Sequence, residues 1–345
     1  MRVLITGTEG YIGTRLATSL RAGGVDVVGL DTGFYCDGTL YSDSAGQPRS
    51  PAAELQDLRA LRESNLRGID AVAHLAELSN DPLGEYRPSV TYEINHLGSV
   101  RLAKAARAAG VKRFVYASSC SVYGVSDEEL VNEQSALNPQ TAYADCKRLV
   151  ERDLAALSDA NFAVVFLRNA TAYGPSPRMR FDIVINDLCG MAWTRKHIQL
   201  LSDGTPWRPV VHVEDICAAF RCALDAPEEL VNGEVFNVGH SSENYRISEL
   251  ANLVASVFPD CDLSIGEPSG DNRSYRVSFD KILHQLPGYK PRWTAERGVR
   301  ELRELFDRIQ LTREQYEFRA FTRLKQLRYL RDTGQIDQNL FWQSR

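Results

Sequence analysis

Val3-Leu4-Ile5-Thr6-Gly7-Thr8-Glu9-Gly10-Tyr11-Ile12-Gly13 runs from a short apolar stretch through three glycines into an amphipathic pattern that lasts to Ala22. The apolar stretch reads as a buried strand, and the apolar spacing of three and four residues after it reads as a helix. Gly7 permits a tight turn, Gly10 lets the main chain approach a pyrophosphate, and Gly13 allows close helix packing. Tyr11 and Ile12 open the helix, where free N–H groups face an anion. The G-x-x-G-x-x-G spacing alone is a weak signal. It gains force from Asp31, which ends the next strand-like run eighteen residues after Gly13. A carboxylate there accepts hydrogen bonds from both hydroxyls of an adenosine ribose and repels a 2′-phosphate, and Thr32 and Gly33 bring no cation to offset that repulsion. The cofactor this predicts is NAD rather than NADP.

Outward from that unit, apolar runs alternate with helical patterns. Strands are expected at Val3–Thr6, Val25–Leu30, Ala71–Leu75, Arg113–Ala117 and Ala163–Leu167, with a weakly signalled one just before Asp57. Helices are expected over Tyr11–Ala22, Ile94–Ala109 and Ala142–Leu157. Such alternation predicts an α/β fold: a Rossmann-type doubly wound parallel sheet whose ligand crevice lies at the carboxyl ends of the strands. After about residue 170 the rhythm breaks at Gly-Pro-Ser-Pro-Arg (174–178), Asp-Gly-Thr-Pro-Trp-Arg (203–208) and Gly-Glu-Pro-Ser-Gly-Asp (266–271), which are turn signals. The expected organisation is an NAD-binding domain over 1–170, a smaller substrate-binding domain over 171–310 and a helical extension over 311–345. Val210–Val213 and Val235–Val238 are expected to return to the main sheet. Residues 319–331 set Phe321, Leu324, Leu327 and Leu330 among five basic residues at helical spacing, which reads as a solvated helix face or a self-association surface.

The 345 residues are 43% hydrophobic and 25% charged, enough for a sizeable core and unlike disordered or collagenous chains. A formal net charge of -5 gives no electrostatic reason to expect a nucleic-acid or anionic-membrane partner. No stretch approaches the roughly 18 apolar residues of a membrane span, and, with an apolar strand-like run directly after Met1, no signal peptide is expected. Seven scattered cysteines without a C-x-x-C pair point to free thiols in the cytoplasm rather than to bridges or a metal site.

Along the expected crevice, Asp57 and Leu58 are candidates for the adenine pocket, and Leu75 and Ala76 for main-chain contact with the cofactor. Glu77 is either a ligand or a surface carboxylate. Tyr143 and Lys147 stand four apart, on one face of a helix. With 14 tyrosines and 7 lysines, roughly 0.3 such pairs arise by chance, so position decides. The pair follows the hydroxyl-rich Ser118-Ser119-Cys120-Ser121, directly after a strand. Oxidising a carbinol needs a base for its proton, and a phenol with a pKa near 10 is a poor one. Bringing it near neutrality, about 3 pH units down, takes roughly 4 kcal/mol, which Lys147 and a positive nicotinamide are expected to share. Ser119 is expected to hydrogen-bond the reacting oxygen. Asn95 either positions the site or satisfies buried main chain.

The glycine loop, Asp31, the Ser119/Tyr143/Lys147 set, Leu167-Arg168-Asn169-Ala170-Thr171-Ala172-Tyr173-Gly174-Pro175 and Trp207-Arg208-Pro209-Val210-Val211-His212-Val213-Glu214-Asp215 resemble the extended short-chain dehydrogenase/reductase family, in its nucleotide-sugar epimerase/dehydratase branch, over about residues 1–310. The resemblance implies catalytic roles for Ser119, Tyr143 and Lys147, a nucleoside diphosphate sugar as substrate and a homodimer packed through the helices Ile94–Ala109 and Ala142–Leu157. It matches Arg208, and Arg273 in Asp271-Asn272-Arg273, to diphosphate-binding arginines. Loop residues Arg178, Arg180 and Arg276 are further candidates, since guanidinium suits a pyrophosphate. Thr171 stands where relatives often carry an Asn at the sugar phosphates, and Asn186 is either a pocket amide or part of a turn. The 4,6-dehydratases of the branch have an Asp-Glu pair after the triad hydroxyl; here those positions are Cys120 and Ser121. That disfavours dehydration and favours an epimerase, with a net dehydrogenase or ketoreductase as the alternative and a non-catalytic cofactor sensor behind both. Ser176–Asp182 and Gly270–Tyr275 are also similar to a subgroup that includes dehydrogenases of nucleotide-activated heptoses, which points to an unusual or longer-chain sugar.

Overall fold

Val3, Leu4 and Ile5 are each almost wholly buried, and in the computed structural model they form an inner strand of a seven-stranded parallel sheet. The structure describes residues 1–42, 53–126, 128–267 and 274–343. Among these, the strands in chain order are β1 (Arg2–Thr6), β2 (Asp26–Asp31), β3 (Glu54–Leu55), β4 (Ala71–His74), β5 (Arg113–Ser119), β6 (Ala163–Asn169), β7 (Thr171–Tyr173), β8 (His197–Leu200), β9 (Trp207–His212), β10 (Val235–Val238), β11 (Asn244–Arg246) and β12 (Asp262–Ile265). The large sheet has the order β10-β6-β5-β4-β1-β2-β3, every pair parallel. Chain order reverses direction between β1 and β4, and a doubly wound sheet opens its ligand crevice at such a switch point.

Both faces of the sheet are covered, which is why its strands are apolar throughout rather than alternating with polar residues. Val3, Ile5, Val115 and Ala117 point into one core, and Leu4, Phe114 and Tyr116 into the opposite one. The helix Tyr11–Ala22 ends where Gly23 and Gly24 follow, Gly24 at φ +80°, a conformation that carries little cost only for glycine. The helix expected over Ile94–Ala109 is in two parts, a π-helical segment Tyr92–Gly98 running into an α-helix Ser99–Ala108.

Of the two apolar runs expected to return to the large sheet, Val235–Val238 does so as the edge strand β10, paired with β6. The other does not. β9 lies between β7 and β11 in a separate three-stranded sheet, because the chain leaves β6 at Ala170 and β7 then offers β9 a parallel partner, Thr171 against Val210. Strands β8 and β12 form a third, two-stranded sheet.

The C-terminal segment packs back on its own chain. After helices Ala295–Ile309 and Arg313–Glu317 and a turn at Arg319–Phe321, the helix Arg323–Asp332 buries Leu327 and Leu330 against Phe34, Leu78, Leu83 and Ile94. The solvated stripe expected over 319–331 is therefore only half right. Phe321, Arg323, Gln326, Leu327 and Leu330 are all buried.

Candidate active site

The carboxyl ends of β1, β2, β4, β5 and β6 surround a crevice of about 520 Å³. The glycine loop forms its floor. Gly7 adopts φ +80°, and a Cβ on Gly13 would lie 2.0 Å from the Gly7 carbonyl oxygen, so the helix can approach this strand end only because residue 13 lacks a side chain. Gly7, Gly10, Tyr11, Ile12 and Gly13 all line the crevice. Asp31 is buried, accepting N–H bonds from Gly33 at 2.7 Å and Glu9 at 2.9 Å. Burial raises its carboxyl above the usual range despite those two bonds. Gln56, Asp57 and Leu58 line the same end, with Asp57 accepting from the Arg59 main chain at 2.8 Å.

Ser119, Tyr143 and Lys147 line the other end. Thr141 caps the helix Ala142–Ala155, accepting from Ala144 N, and the helix then presents Tyr143 and Lys147 one turn apart. Ser119 Oγ accepts from Ser121 N at 3.1 Å, and its hydroxyl acts to lower the pKa of the Tyr143 phenol. Burial pushes that phenol up, Lys147 and Ser119 pull it down, and Glu77 and Asp81 push it up again, leaving it above its ordinary value. Lys147 Nζ donates to the Ala117 carbonyl, lies 5.5 Å from the Tyr143 ring centroid and pairs with Glu77 Oε2 at 2.7 Å. Burial alone would lower the Lys147 ammonium, but the Glu77 carboxylate outweighs it and keeps the amine charged. Glu77 is thus the buried counterion of Lys147, its side chain 2% exposed and its other oxygen accepting from Tyr116 at 2.6 Å. The ammonium that the sequence assigns to the phenol is shared with a carboxylate.

Asn95 serves the main chain: its Oδ1 accepts from Leu78 N at 2.9 Å and its Nδ2 donates to Leu78 O at 3.0 Å. It thereby fixes the strand-end segment 75–81, of which Leu75, Ala76 and Glu77 line the crevice. Thr171, Arg180 and Arg208 line it too. Arg208 lies 5.9 Å from the Tyr275 ring centroid and donates to Trp207 O at 2.8 Å. Arg180 is bound by Asp182 at 2.8 Å and donates to Ser79 Oγ at 3.2 Å. Two other candidates are turned elsewhere. Arg178 pairs with Glu9 and donates to Cys36 O at 2.8 Å and Thr39 Oγ1 at 2.7 Å, outside the crevice lining. Asn186 is fully buried, accepting from Gly174 N at 2.9 Å and donating to Arg180 O at 3.0 Å, so it holds the loop over the glycine turn. Arg276 contacts Glu129 at 3.4 Å on the surface. Arg273, with Asp271 and Asn272, lies outside the described residues.

Sequence reasoning missed several crevice residues. Ser121 Oγ, Asn169 Oδ1 and Tyr35 OH are buried without a hydrogen-bond partner in residues that line the crevice, and Arg323 enters it from the C-terminal segment. Orphaned polar atoms over an apolar floor suit an extended polar ligand, and the Asp31 carboxylate at one end suits a ribose diol. Among the described residues no group of three His, Cys, Asp or Glu side chains is placed to hold a metal ion.

Residues 3–239 match the model of the NAD dependent epimerase/dehydratase family, and the chain belongs to that family. It is an NAD-dependent protein of the nucleotide-sugar epimerase/dehydratase class with a Rossmann-like sheet. It is 27% identical over 317 residues to the UDP-glucose 4-epimerase of Lactobacillus helveticus, covering 85% of this chain and 92% of the relative. It is 26% identical over 323 residues to the dTDP-D-glucose 4,6-dehydratase of Mus musculus, covering 88% of each. Among solved structures, MoeE5 in complex with UDP-glucose and NAD superposes with a TM-score of 0.76 at 29% identity, over 90% of this chain and 100% of that one. DesIV of Streptomyces venezuelae, a dTDP-glucose 4,6-dehydratase with NAD bound, gives 0.74 at 26%, over 89% and 98%.

Proposed function

We propose that the protein is an NAD-dependent nucleotide-sugar epimerase, with Tyr143 as the acid/base, Ser119 orienting the reacting oxygen and Lys147 holding positive charge beside them. The observation that carries this over dehydration is the pair after Ser119. Cys120 is 1% exposed, its thiol donates to Arg168 O at 3.2 Å, and burial pushes its pKa up, so it moves no proton near neutrality. Ser121 is a neutral hydroxyl. Neither supplies the acid and base that removing water from a sugar requires. Transient oxidation needs one proton acceptor, and the position of Tyr143 in the crevice lining supports that role for it.

NAD supplies the hydride acceptor and, after the keto sugar turns over, the donor to its opposite face. Tyr143 takes the carbinol proton during oxidation and returns it on reduction, so no redox equivalent is released. Its phenol is held above its ordinary value by burial and by the negative charges of Glu77 and Asp81, so its activation rests on the Ser119 hydroxyl and the positive nicotinamide ring as well as on Lys147. On the substrate side, Arg208 and Thr171 line the crevice where a nucleoside diphosphate sugar enters. MoeE5 binds UDP-glucose and, in a second structure, UDP-glucuronic acid, which supports this substrate class. We place the enzyme in the cytoplasm as a homodimer packed through Tyr92–Ala108 and Ala142–Ala155. All seven cysteines being free thiols supports the compartment, and light scattering tests the dimer.

Incubated with UDP- and dTDP-hexoses, the purified protein is expected to convert a sugar nucleotide to its epimer without net NADH. Tyr143→Phe is expected to lower that rate at least about 100-fold. Stoichiometric NADH assigns the net dehydrogenase instead, and a product lighter by one water assigns the dehydratase.

A further inference from the structure

Arg180 and Arg323 both line the crevice, both buried, and between them stands one carboxylate. Asp182 gives its charge to Arg180, Oδ1 to Nε at 2.8 Å and Oδ2 to the second nitrogen at 3.2 Å. From Arg323 the same carboxylate takes only the main-chain N–H, at 3.1 Å. The Arg323 guanidinium lies 4.1 Å over the Tyr35 ring and donates one bond, to Ala320 O at 3.3 Å. Among the described residues no carboxylate lies within ion-pair distance of it. Burial and then repulsion by Arg180 bring it down to about 10. A guanidinium 3% exposed and without a counterion is unfavourable unless an anion joins it.

The position of the pair identifies the anion. Arg323 stacks over Tyr35, four residues past Asp31, at 4.1 Å, and Arg180 donates to Ser79 Oγ at 3.2 Å, two residues past the Glu77 that pairs with Lys147, one turn from Tyr143. The two guanidiniums therefore stand between Asp31, at the ribose end, and Tyr143, where the hydride moves. A dinucleotide spanning those ends carries its diphosphate in between, over Gly10 and Ile12. Arg208, on β9, lies beside Tyr275 instead.

We propose that Arg323, delivered by the C-terminal segment, binds the NAD diphosphate from the side opposite the glycine loop, with Arg180 beside it, so that the chain's end forms part of the cofactor site. This rests on NAD use and not on the epimerase reading. The diphosphate brings two negative charges to a site with one net positive charge, and guanidinium pairs with phosphate oxygens through two parallel bonds. Arg323 also ties cofactor binding to the docking of helix Arg323–Asp332.

The test is calorimetric titration of full-length, nucleotide-free protein with NAD, ADP-ribose, adenosine, UDP and dTDP. Arg323→Met is expected to weaken NAD and ADP-ribose about tenfold or more while changing adenosine less than about twofold, since only the first two carry the diphosphate. Arg323→Lys, which keeps the charge but loses the fork, is expected to fall between. Nucleotide-free Arg323→Met is expected to melt no lower than the parent, because it removes an uncompensated buried charge. Unchanged affinity for NAD and ADP-ribose overturns the proposal, as does an equal loss for adenosine. A loss confined to UDP or dTDP assigns Arg323 to the sugar nucleotide and overturns it, and so does a melting temperature well below the parent. Activity enters none of these readings, so the proposal and the epimerase reading stand or fall separately.

Discussion

His74 shows how a single side chain beneath the site sets a pH limit. It is fully buried at the end of β4, with Nδ1 2.6 Å from Thr6 Oγ1 and Nε2 2.7 Å from Ser99 Oγ. Burial, helped by the Lys147 charge, lowers its pKa to about 3. In the unfolded chain it titrates near 6.5, so its contribution to stability is complete above that pH and is lost as pH falls toward 3, because only the unfolded state then binds the proton. The expected slope from this residue is about 1.4 kcal/mol per pH unit. Urea midpoints measured from pH 6.5 to 4.5 are expected to fall more steeply in the parent than in His74→Gln. Equal slopes would place the imidazole somewhere wetter. Glu77, at the same strand end, teaches a different lesson: a residue that read as either ligand or surface carboxylate is the buried partner of Lys147.

At the scale of elements, the turn from β1 into the helix Tyr11–Ala22 concentrates the geometric constraint. A Cβ at position 13 would meet the Gly7 carbonyl oxygen at 2.0 Å and its carbon at 2.8 Å, both main-chain atoms that cannot swing away. Gly13→Ala is expected to destabilise the protein by about 2–4 kcal/mol and to weaken NAD binding, measured by thermal melting and by titration. A melting temperature within a degree of the parent would show that the helix can slide. This turn was legible because its glycines sit between two strong periodic signals, and the parallel strands were legible as continuous apolar runs. The destination of β9 was not. Its apolar run suits either sheet, and the choice was made by β7, three residues too short to stand out. Arg323 was legible in part: residues 323, 326, 327 and 330 share one helical face, and all four are buried. A stripe defined by its leucines alone hides the two polar members. Arg178 reads as a candidate ligand and Asn186 as either a pocket amide or part of a turn, because loops near a crevice offer many polar groups and nothing in local sequence tells which are taken up by the loop itself.

Across the whole molecule the first and last portions of the chain are joined just past Asp31, at one end of the crevice. Trp342 donates from its indole N–H to Thr32 O at 2.8 Å and packs on Phe34 at 5.7 Å between centroids. Gln326 donates to Phe34 O at 3.0 Å, and Arg59 stacks over Phe341 at 3.5 Å while bonding Asn339 O at 2.7 Å. Trp342→Ala is expected to cost about 1–3 kcal/mol and to make the last residues more sensitive to protease in the nucleotide-free protein, followed by mass spectrometry of the fragments. Saturating NAD is expected to restore much of that resistance. A cleavage pattern indifferent to both changes would detach the chain's end from the site.

That joint spans 310 residues between Thr32 and Trp342. A ribosome makes Thr32 and Phe34 long before their partners Gln326 and Trp342, so this closure waits on some three hundred further residues of synthesis.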